Sequence, residues 1–358
     1  MAAGKFYSSR RWLAFCADMA DMPTGSITAD LPGGGLAALP VSVTGGTTHP
    51  FYDCPALLRA RGLPAPPPFG LLAGPRFGYQ ADLLVTPGAD RAQAAARLRA
   101  AVEEAGLPTL APYLSTRDVM DLRAGGVTAP PVLLTADAWL RVPAGGWEEY
   151  LSTLSGRRAE NIRKERAAFA AAGYDVVEAP LGEWAEHAAR LLAVTEAKHG
   201  HHADPSVYLR MLTLQAKHLG ESARVILCGP PGEPPVGHVL YYIHDGTLRL
   251  RSAGFDYARL RGAAEYFNVV VYLLFERAVE AGARWFHAGI ASTEAKALRG
   301  FELRPLWLLD LTAGGPLDGL DADVRAANAR TFASISTTPF LTRSWRLGED
   351  DERWLATA

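Results

Sequence analysis

The chain is poor in cysteine, in net charge and in long apolar runs, and each shortage excludes a class of protein. Cys16, Cys54 and Cys228 are odd in number and far apart in 358 residues, so they suggest neither a disulfide framework nor a zinc site. The formal net charge of −2 argues against a nucleic-acid binder that relies on overall positive charge. No apolar run approaches the roughly 20 residues that a membrane-spanning helix needs.

What remains is the composition of an ordinary globular protein. Apolar residues make up 49% of the chain and charged residues 21%, which is enough for a sizeable core. Residues 1–6 contain no apolar run of the kind found in secretory signals. With the cysteine usage, this leads us to expect a cytoplasmic protein that does not insert into membranes. The length predicts two domains, or one large one.

Turn residues and hydrophobic periodicity predict the secondary structure. In the first half, residues 36–43 and 132–142 are predicted strands, and Asp90 and Gly106 bound a predicted helix. In the second half, Asp245-Gly246 between two strand-like runs is a strong hairpin signal. The predicted helices of that half cover 157–172, 184–199, 207–219 and 262–281, and the predicted strands cover 223–228, 236–243, 248–255, 285–290 and 305–310.

One loop between a strand and a helix suggests anion binding. Residues 259–264 follow the pattern Arg-x-x-Gly-x-Ala, and unpaired N–H groups at a helix N-terminus can bind a phosphate. Gly262 and Ala264 are small enough to let a ligand approach the backbone. The alternative is that Gly262 only eases the turn. Glu265 follows in the first helical turn, where the helix dipole favours a carboxylate, and we expect it to point away from a bound pyrophosphate.

The order hairpin, strand, phosphate loop, helix and strand resembles the GNAT acyltransferase fold. Three segments further resemble FemABX-like transferases. Residues 155–166 resemble the helix that opens the second domain, 294–301 a Lys-x-x-Arg-Gly element, and 6–13 the chain start. The resemblance implies an α/β protein (an α+β GNAT fold) with two tandem GNAT-like domains, each a mixed central sheet flanked by helices. It assigns 1–145 to a degenerate N-terminal domain, 146–312 to a C-terminal domain with the donor loop, and 313–358 to a tail that packs on them.

The resemblance implies an enzyme that forms amide bonds. FemABX-like enzymes move amino acids from aminoacyl-tRNA to peptidoglycan precursors or related acceptors. We therefore expect an aminoacyl-tRNA or acyl-CoA co-substrate, an amine of a peptide-like or small natural-product acceptor, and no tightly bound cofactor. Because the phosphate loop is retained, an acyl-CoA-dependent N-acetyltransferase stays open as an alternative. A non-catalytic GNAT-like binding module is a third possibility.

Candidate residues for the donor and the chemistry follow from this resemblance. An amine needs a base at neutral pH, and the developing oxyanion needs a positive charge or a backbone N–H near Gly254 or Phe255. The expected donor-binding residues are Gly254, Phe255, Arg259, Gly262, Ala264 and Arg299, and the expected catalytic residues are Lys296, Glu196, His201 and His287. For His287, the alternative is a buried histidine of the core.

The acceptor is expected to meet a cationic helix. The candidates for a phosphate-bearing acceptor are Arg157, Arg158, Asn161, Lys164 and Lys198. The alternative is a solvated helix face trimmed by a Glu160–Lys164 pair. The run 201–204, His-His-Ala-Asp, lacks the ligand spacing of a closed zinc site, so no metal is expected.

Overall fold

The protein, seen in a computed structural model, is described at residues 5–45, 49–201 and 204–356. Its strands are β1 (Thr24–Leu31), β2 (Gly35–Thr44), β3 (Gly70–Ala73), β4 (Leu84–Val85), β5 (Thr109–Leu114), β6 (Val132–Arg141), β7 (Asp175–Pro180), β8 (Arg224–Gly229), β9 (Gly237–His244), β10 (Thr247–Phe255), β11 (Trp285–His287) and β12 (Glu302–Asp310).

Helices connect many of these strands along the sequence. They are α1 (Arg10–Met19), α2 (Cys54–Arg59), α3 (Arg91–Ala105), α4 (Thr116–Ala124), α5 (Gly146–Ser152), α6 (Gly156–Ala171), α7 (Leu181–Lys198), α8 (Pro205–Leu219), α9 (Glu265–Phe267), α10 (Leu273–Glu280), α11 (Thr293–Ala297), α12 (Asp321–Ile335), α13 (Pro339–Ser344) and α14 (Glu349–Leu355). A π-helical turn, Asn268–Tyr272, joins α9 to α10.

Many local predictions are confirmed because their signals lie within a few residues. The Asp90 side chain accepts hydrogen bonds from the amides of Ala92 and Gln93, and Gly106 ends α3 in the left-handed conformation. The hairpin at Asp245-Gly246 joins β9 to β10 as predicted. Ser155 directly precedes α6, and its side chain accepts no capping hydrogen bond. The first and last thirds of the chain also hold elements that the sequence pattern did not predict, including β1, α12 and α14.

The first compact unit is formed by Met1–Asp137 and Leu303–Ala358. Its strand order is β1-β2-β3-β5-β12, with β4 beside β2. β3 and β5 run parallel, whereas β1 with β2, β2 with β3, β2 with β4 and β5 with β12 run antiparallel. Its core includes Trp12, Leu98 and Trp307, which are fully buried.

The second unit is Ala138–Glu302. β7, β8, β9 and β10 form an antiparallel meander, and β11 lies parallel to β10 on the other side. The last residues of β6, from Trp139 to Arg141, pair antiparallel with β11. This is the mixed α/β arrangement predicted for the C-terminal half.

The structure corrects the assignment of two strands. Residues 305–310 were expected to complete the C-terminal domain, but β12 belongs with β5 in the first unit, where Trp307 pairs with Leu114. The C-terminal end of β6, expected in the N-terminal domain, instead pairs with β11 in the second unit. The chain leaves the first unit after Asp137 and returns to it at Leu303, whereas the expected boundaries were 145/146 and 312/313. The expected tail, 313–358, is part of the first unit.

Strand pairing leaves part of β10 open. β10 and β11 pair from Thr247 to Arg249 on β10, and the last partner on β11 is His287. β10 continues to Phe255, and its pairing with β9 shifts by one residue between Leu250 and Ser252. Such a bulge increases the local twist of a strand. Beyond Arg249, the β11 side of β10 is therefore an opening in the sheet, which we call the β10 opening.

Candidate active site

The β10 opening presents backbone groups at alternate residues. The amide of Asp256 donates to the carbonyl of Val236 at 2.8 Å, and residues two apart in an antiparallel strand point the same way. The amide of Gly254 therefore faces β9, whereas the amides of Ala253 and Phe255 face the opening.

The Phe255 amide is already engaged. It donates to the Thr195 hydroxyl oxygen of α7 at 2.8 Å. A backbone N–H near Gly254 or Phe255 was expected to stabilise the oxyanion; in the structure the Gly254 amide faces β9 and the Phe255 amide is bound to Thr195. Thr195 lies within the helix predicted at 184–199, and the sequence pattern gave its hydroxyl group no function. The Ala253 amide, two residues earlier, is the group that this edge of β10 directs into the opening.

Gly254 is required by helix packing. A Cβ built there would lie 2.5 Å from the Leu191 carbonyl carbon and the Leu192 nitrogen of α7, and 2.7 Å from Cε1 of His238. Two of these neighbours are backbone atoms and cannot rotate away. The glycine therefore allows α7 to lie against β10, which brings Thr195 to the Phe255 amide.

We expect Gly254→Ala to destabilise the protein by about 3 kcal/mol, because α7 must move to admit the methyl group. Urea denaturation of the variant and the wild type measures the difference. Gly156→Ala is the matched control, since a Cβ at Gly156 meets nothing within 4 Å, and its stability should stay within about 0.5 kcal/mol. Equal stability of the Gly254 variant and the wild type would disprove the close packing.

Lys296 lies on α11, and its ammonium group reaches the residue that follows β11. Its side chain is buried, and its ammonium group donates to the carbonyl oxygens of Ala288 and Ala291, each at 2.5 Å. Ala288 directly follows the last β11 residue that pairs with β10. The ammonium charge is thus held close to the point where β10 and β11 stop pairing.

Arg299 is held in a buried cluster. Its guanidinium donates to both carboxylate oxygens of Glu165 at 2.9 Å and, through Nε, to the Tyr272 hydroxyl at 2.8 Å. It also donates to the Ala295 carbonyl and lies 3.2 Å from the centre of the Phe267 ring. Arg299 was predicted to bind the donor. The structure instead shows it joining α11 to α6 and to the π-helical turn.

The charged and amide groups of the predicted phosphate loop are bound to other groups of the same chain. Arg259 forms an ion pair with Glu233 at 2.7 Å. The Arg261 guanidinium donates to the Ala172 carbonyl and lies over the Tyr174 ring. The Glu265 carboxylate was expected to point away from the loop, but it turns into the loop. It accepts hydrogen bonds from the amides of Arg261 at 2.6 Å and Ala263 at 3.0 Å.

The environment of Glu265 favours its charged form. Burial raises the pKa of this carboxyl group. Hydrogen bonds from its own amide, from the Tyr174 hydroxyl and from the amides of Ala263 and Arg261 together lower the pKa by more than burial raises it. The resulting pKa is below the ordinary value for Glu. Glu265 is therefore an anion at neutral pH.

His287 is a core histidine. It is fully buried, pairs with Arg249 across β10 and β11, and packs against Trp139 with ring centres 4.5 Å apart. It precedes Ala288, the carbonyl partner of Lys296. The structure therefore places His287 on the strand next to the opening, within packed aromatic surroundings.

A second buried histidine, which the sequence analysis did not single out, lies on β9. His238 has no exposed surface, and burial lowers its pKa to about 3. The unfolded chain takes up a proton near pH 6.5 whereas the folded chain does not. Stability contributed by His238 is therefore complete above pH 6.5 and is lost as the pH falls towards 3.

We expect this histidine to reduce the free energy of unfolding by about 2 kcal/mol between pH 7 and pH 5. Urea denaturation at both pH values checks this. His238→Asn lacks the titrating group. Its free energy of unfolding should therefore fall by about 2 kcal/mol less than that of the wild type between pH 7 and pH 5. An identical loss in both proteins would contradict the assignment.

Two predicted catalytic residues lie in the last turn of α7 and just beyond its end. Nδ1 of His201 and Oε2 of Glu196 lie 2.5 Å apart, and both residues are partly exposed. Lys198, predicted to bind the acceptor, lies with its ammonium 3.3 Å from the centre of the Tyr257 ring. Thr195, in the same turn, contacts the Phe255 amide, so this end of α7 borders the C-terminal end of β10. His202 lies outside the described residues.

The cationic helix α6 is exposed along one face. Arg157, Asn161 and Lys164 are all exposed, and Lys164 pairs with Glu160 at 2.7 Å, as the alternative interpretation predicted. Arg158 is half-buried. This face is exposed to solvent, whereas Arg166 on the opposite side is bound to Glu276 and stacks on Trp147.

Within the described residues, no three His, Cys, Asp or Glu side chains are grouped as a metal site would require. Among the helices of the described part of the chain, none has both the length and the apolar character of a membrane span.

Known structures share this architecture. FemX superposes with a TM-score of 0.57 over 89% of this chain and 94% of FemX, at 12% sequence identity. The chain has the fold of FemX. The same fold is seen in the C-terminal domain assigned to a lysylphosphatidylglycerol synthetase from Agrobacterium fabrum, with a TM-score of 0.53, 14% identity and 90% coverage of both chains.

A third structure with the FemX fold extends this group. L-PGS from Bacillus licheniformis superposes with a TM-score of 0.50 at 12% identity, over 83% of this chain and 86% of that one. No protein-family model matches the sequence, and no curated protein matches it either. Structure therefore supports the FemABX-like fold predicted from the hairpin, the loop and the Lys-x-x-Arg-Gly element.

The sequence analysis missed four groups at this site: the Ala253 amide, Thr195, Glu165 and Tyr272. Backbone direction at Ala253 depends on strand register, which local sequence does not specify beyond the Asp245-Gly246 turn. Glu165 lies 134 residues from Arg299. Its only sequence signal was its place as one of two carboxylates in a helix rich in cations.

Proposed function

We propose that the chain is an aminoacyltransferase that moves an aminoacyl group from an activated ester, such as aminoacyl-tRNA, to an acceptor amine. The observation that carries this proposal is the β10 opening with the Lys296 ammonium at its edge. The FemX fold supports the transferase class. An acceptor that is peptide-like, or a small natural product, fits the predicted role.

The reaction needs no covalent enzyme intermediate. The acceptor nitrogen attacks the ester carbonyl, a C–N bond forms, and the C–O bond to the departing hydroxyl breaks. A base takes the proton from the nitrogen, and the leaving oxygen takes up a proton as it departs. Much of the acceleration comes from holding amine and carbonyl together in the opening.

Two groups of the opening are suited to the oxyanion. The Ala253 amide points away from β9, and the Lys296 ammonium is fixed by the carbonyls of Ala288 and Ala291. A buried positive charge and a preorganised N–H both stabilise negative charge that develops on the carbonyl oxygen. Neither group must reorganise during the reaction.

The end of α7 supplies the base in this proposal. Glu196 accepts a hydrogen bond from Nδ1–H of His201 in the tautomer that leaves Nε2 as the proton acceptor. The exposed cations Arg157, Arg158 and Lys164, with Asn161 and Lys198, would meet a phosphate-bearing acceptor.

Binding and turnover can test the proposal together. The purified chain is incubated with aminoacyl-tRNA or acetyl-CoA and a panel of peptide amines, and products are followed by mass spectrometry. Thermal shift is measured with uncharged tRNA, CoA and a nucleotide-sugar. We expect aminoacylated product and stabilisation by tRNA. Acetylated product with stabilisation by CoA alone would overturn the aminoacyl donor, and no product with no stabilisation would favour a binding module.

A further inference from the structure

The loop of residues 259–264 already holds an anion, which is a carboxylate of the same chain. We infer that Glu265 is a specificity-determining residue, because its carboxylate occupies the place where this loop would bind the pyrophosphate of a CoA-type donor. The inference rests on the proposed function, since it concerns which activated donor the transferase accepts.

Both carboxylate oxygens of Glu265 are bound, as phosphate oxygens would be. Oε1 accepts hydrogen bonds from the Arg261 amide at 2.6 Å and the Tyr174 hydroxyl at 2.8 Å. Oε2 accepts one from the Ala263 amide at 3.0 Å. Glu265 is buried, so these bonds are shielded from water.

The backbone of the loop is shaped for an anion. Gly262 and Ala264 have φ values of +72° and +55°, and left-handed residues in such a turn bring successive amides to one concave side. A non-glycine residue in this conformation is uncommon and persists where its surroundings fix it. At Ala264, the bonds between the Glu265 carboxylate and the loop amides supply that constraint.

The cations of the loop are directed to other partners. Arg259 is paired with Glu233 and donates to the Pro234 carbonyl, and Arg261 reaches the Ala172 carbonyl. A pyrophosphate entering the loop would therefore meet a buried negative charge whose hydrogen-bond donors are already in use. Repulsion between like charges is strong where water is excluded.

The position of Glu265 determines which class of activated donor can bind. A donor whose activation depends on a pyrophosphate bound in this loop is excluded while Glu265 remains there. An aminoacyl ester on a ribose hydroxyl can reach the β10 opening without placing a pyrophosphate in the loop. Glu265 thus separates ester donors from CoA thioesters.

Calorimetric titration tests this with CoA and with inorganic pyrophosphate as probes. Wild type, Glu265→Ala and the control Glu186→Ala are titrated at neutral pH. Glu186 is exposed on α7, so its removal changes the net charge equally without touching the loop. We expect at least a tenfold gain in affinity for both probes in Glu265→Ala, with the control and wild type binding equally weakly.

The outcomes separate this inference from the proposed function. Micromolar binding of CoA to wild type, or a folded Glu265→Ala without any gain, would overturn the role of Glu265. If Glu265→Ala does not fold, the isosteric Glu265→Gln removes the charge alone and should show the same direction of change. Failure to transfer from any donor, with the affinity gain present, would overturn the transferase and leave the role of Glu265 intact.

Discussion

Replacing Lys296 with Met is expected to lower kcat about a hundredfold, with little change in KM. The ammonium lies at the end of β11, held by the carbonyls of Ala288 and Ala291. Its charge is placed to stabilise an oxyanion that exists only in the transition state, and removing one such group typically costs about 10² to 10³ in kcat. Single-turnover kinetics with saturating aminoacyl donor measure the effect.

Two variants separate catalysis from stability at this position. Lys296→Arg keeps a positive charge and should retain more activity than Lys296→Met when both are assayed below their melting temperatures. Lys217 is exposed on α8, so Lys217→Met removes a lysine outside the proposed active site and should leave kcat unchanged. A Lys296→Met enzyme with kcat within threefold of wild type would remove this lysine from the active site.

The second large effect is expected from Arg299→Met, which should destabilise the protein by about 3 kcal/mol. Arg299 is buried, and its loss leaves the Glu165 carboxylate and the Tyr272 hydroxyl without their cationic partner. Breaking a buried pair from one side is costly because an uncompensated charge remains. Breaking such a pair typically costs about 3 to 5 kcal/mol, and we expect the lower value because the Glu165 side chain is partly exposed.

Urea denaturation of three variants tests the cluster. Arg277→Met is the matched control, because its ion pairs with Glu178 and Glu280 are partly exposed, and it should cost less than about 1 kcal/mol. The double variant Glu165→Gln with Arg299→Met removes the stranded charge and should recover part of the loss. Equal effects of Arg299→Met and Arg277→Met would show that the cluster contributes no more than a surface pair.

Local sequence was informative where a short-range signal specifies the backbone. Asp90 and Gly106 bound α3, and Asp245-Gly246 joins β9 to β10, because capping and turn chemistry act over a few residues. The hairpin, the loop and the following helix were enough to predict the GNAT-like architecture. Composition limited the class of protein but specified no residue of the site.

Side-chain roles at the site depended on distant partners. Arg299 was expected to bind the donor, and in the structure it is bound to Glu165. The sequence around an arginine does not indicate which distant carboxylate it will pair with. Glu265 was compatible with the helix dipole in either orientation. Only the positions of the Arg261 and Ala263 amides and of Tyr174 decide that its carboxylate turns into the loop.

The sequence by itself determined the α/β class, the second-half hairpin and the position of the phosphate-like loop, since these depend on periodicity, turns and caps. Tertiary structure alone decided that β12 and the end of β6 change units, that Thr195 takes the Phe255 amide, and that Glu265 fills the loop. The physical reason is the same in each case. Strand pairing and buried hydrogen bonds join residues far apart in sequence, and their partners are fixed only when the chain packs.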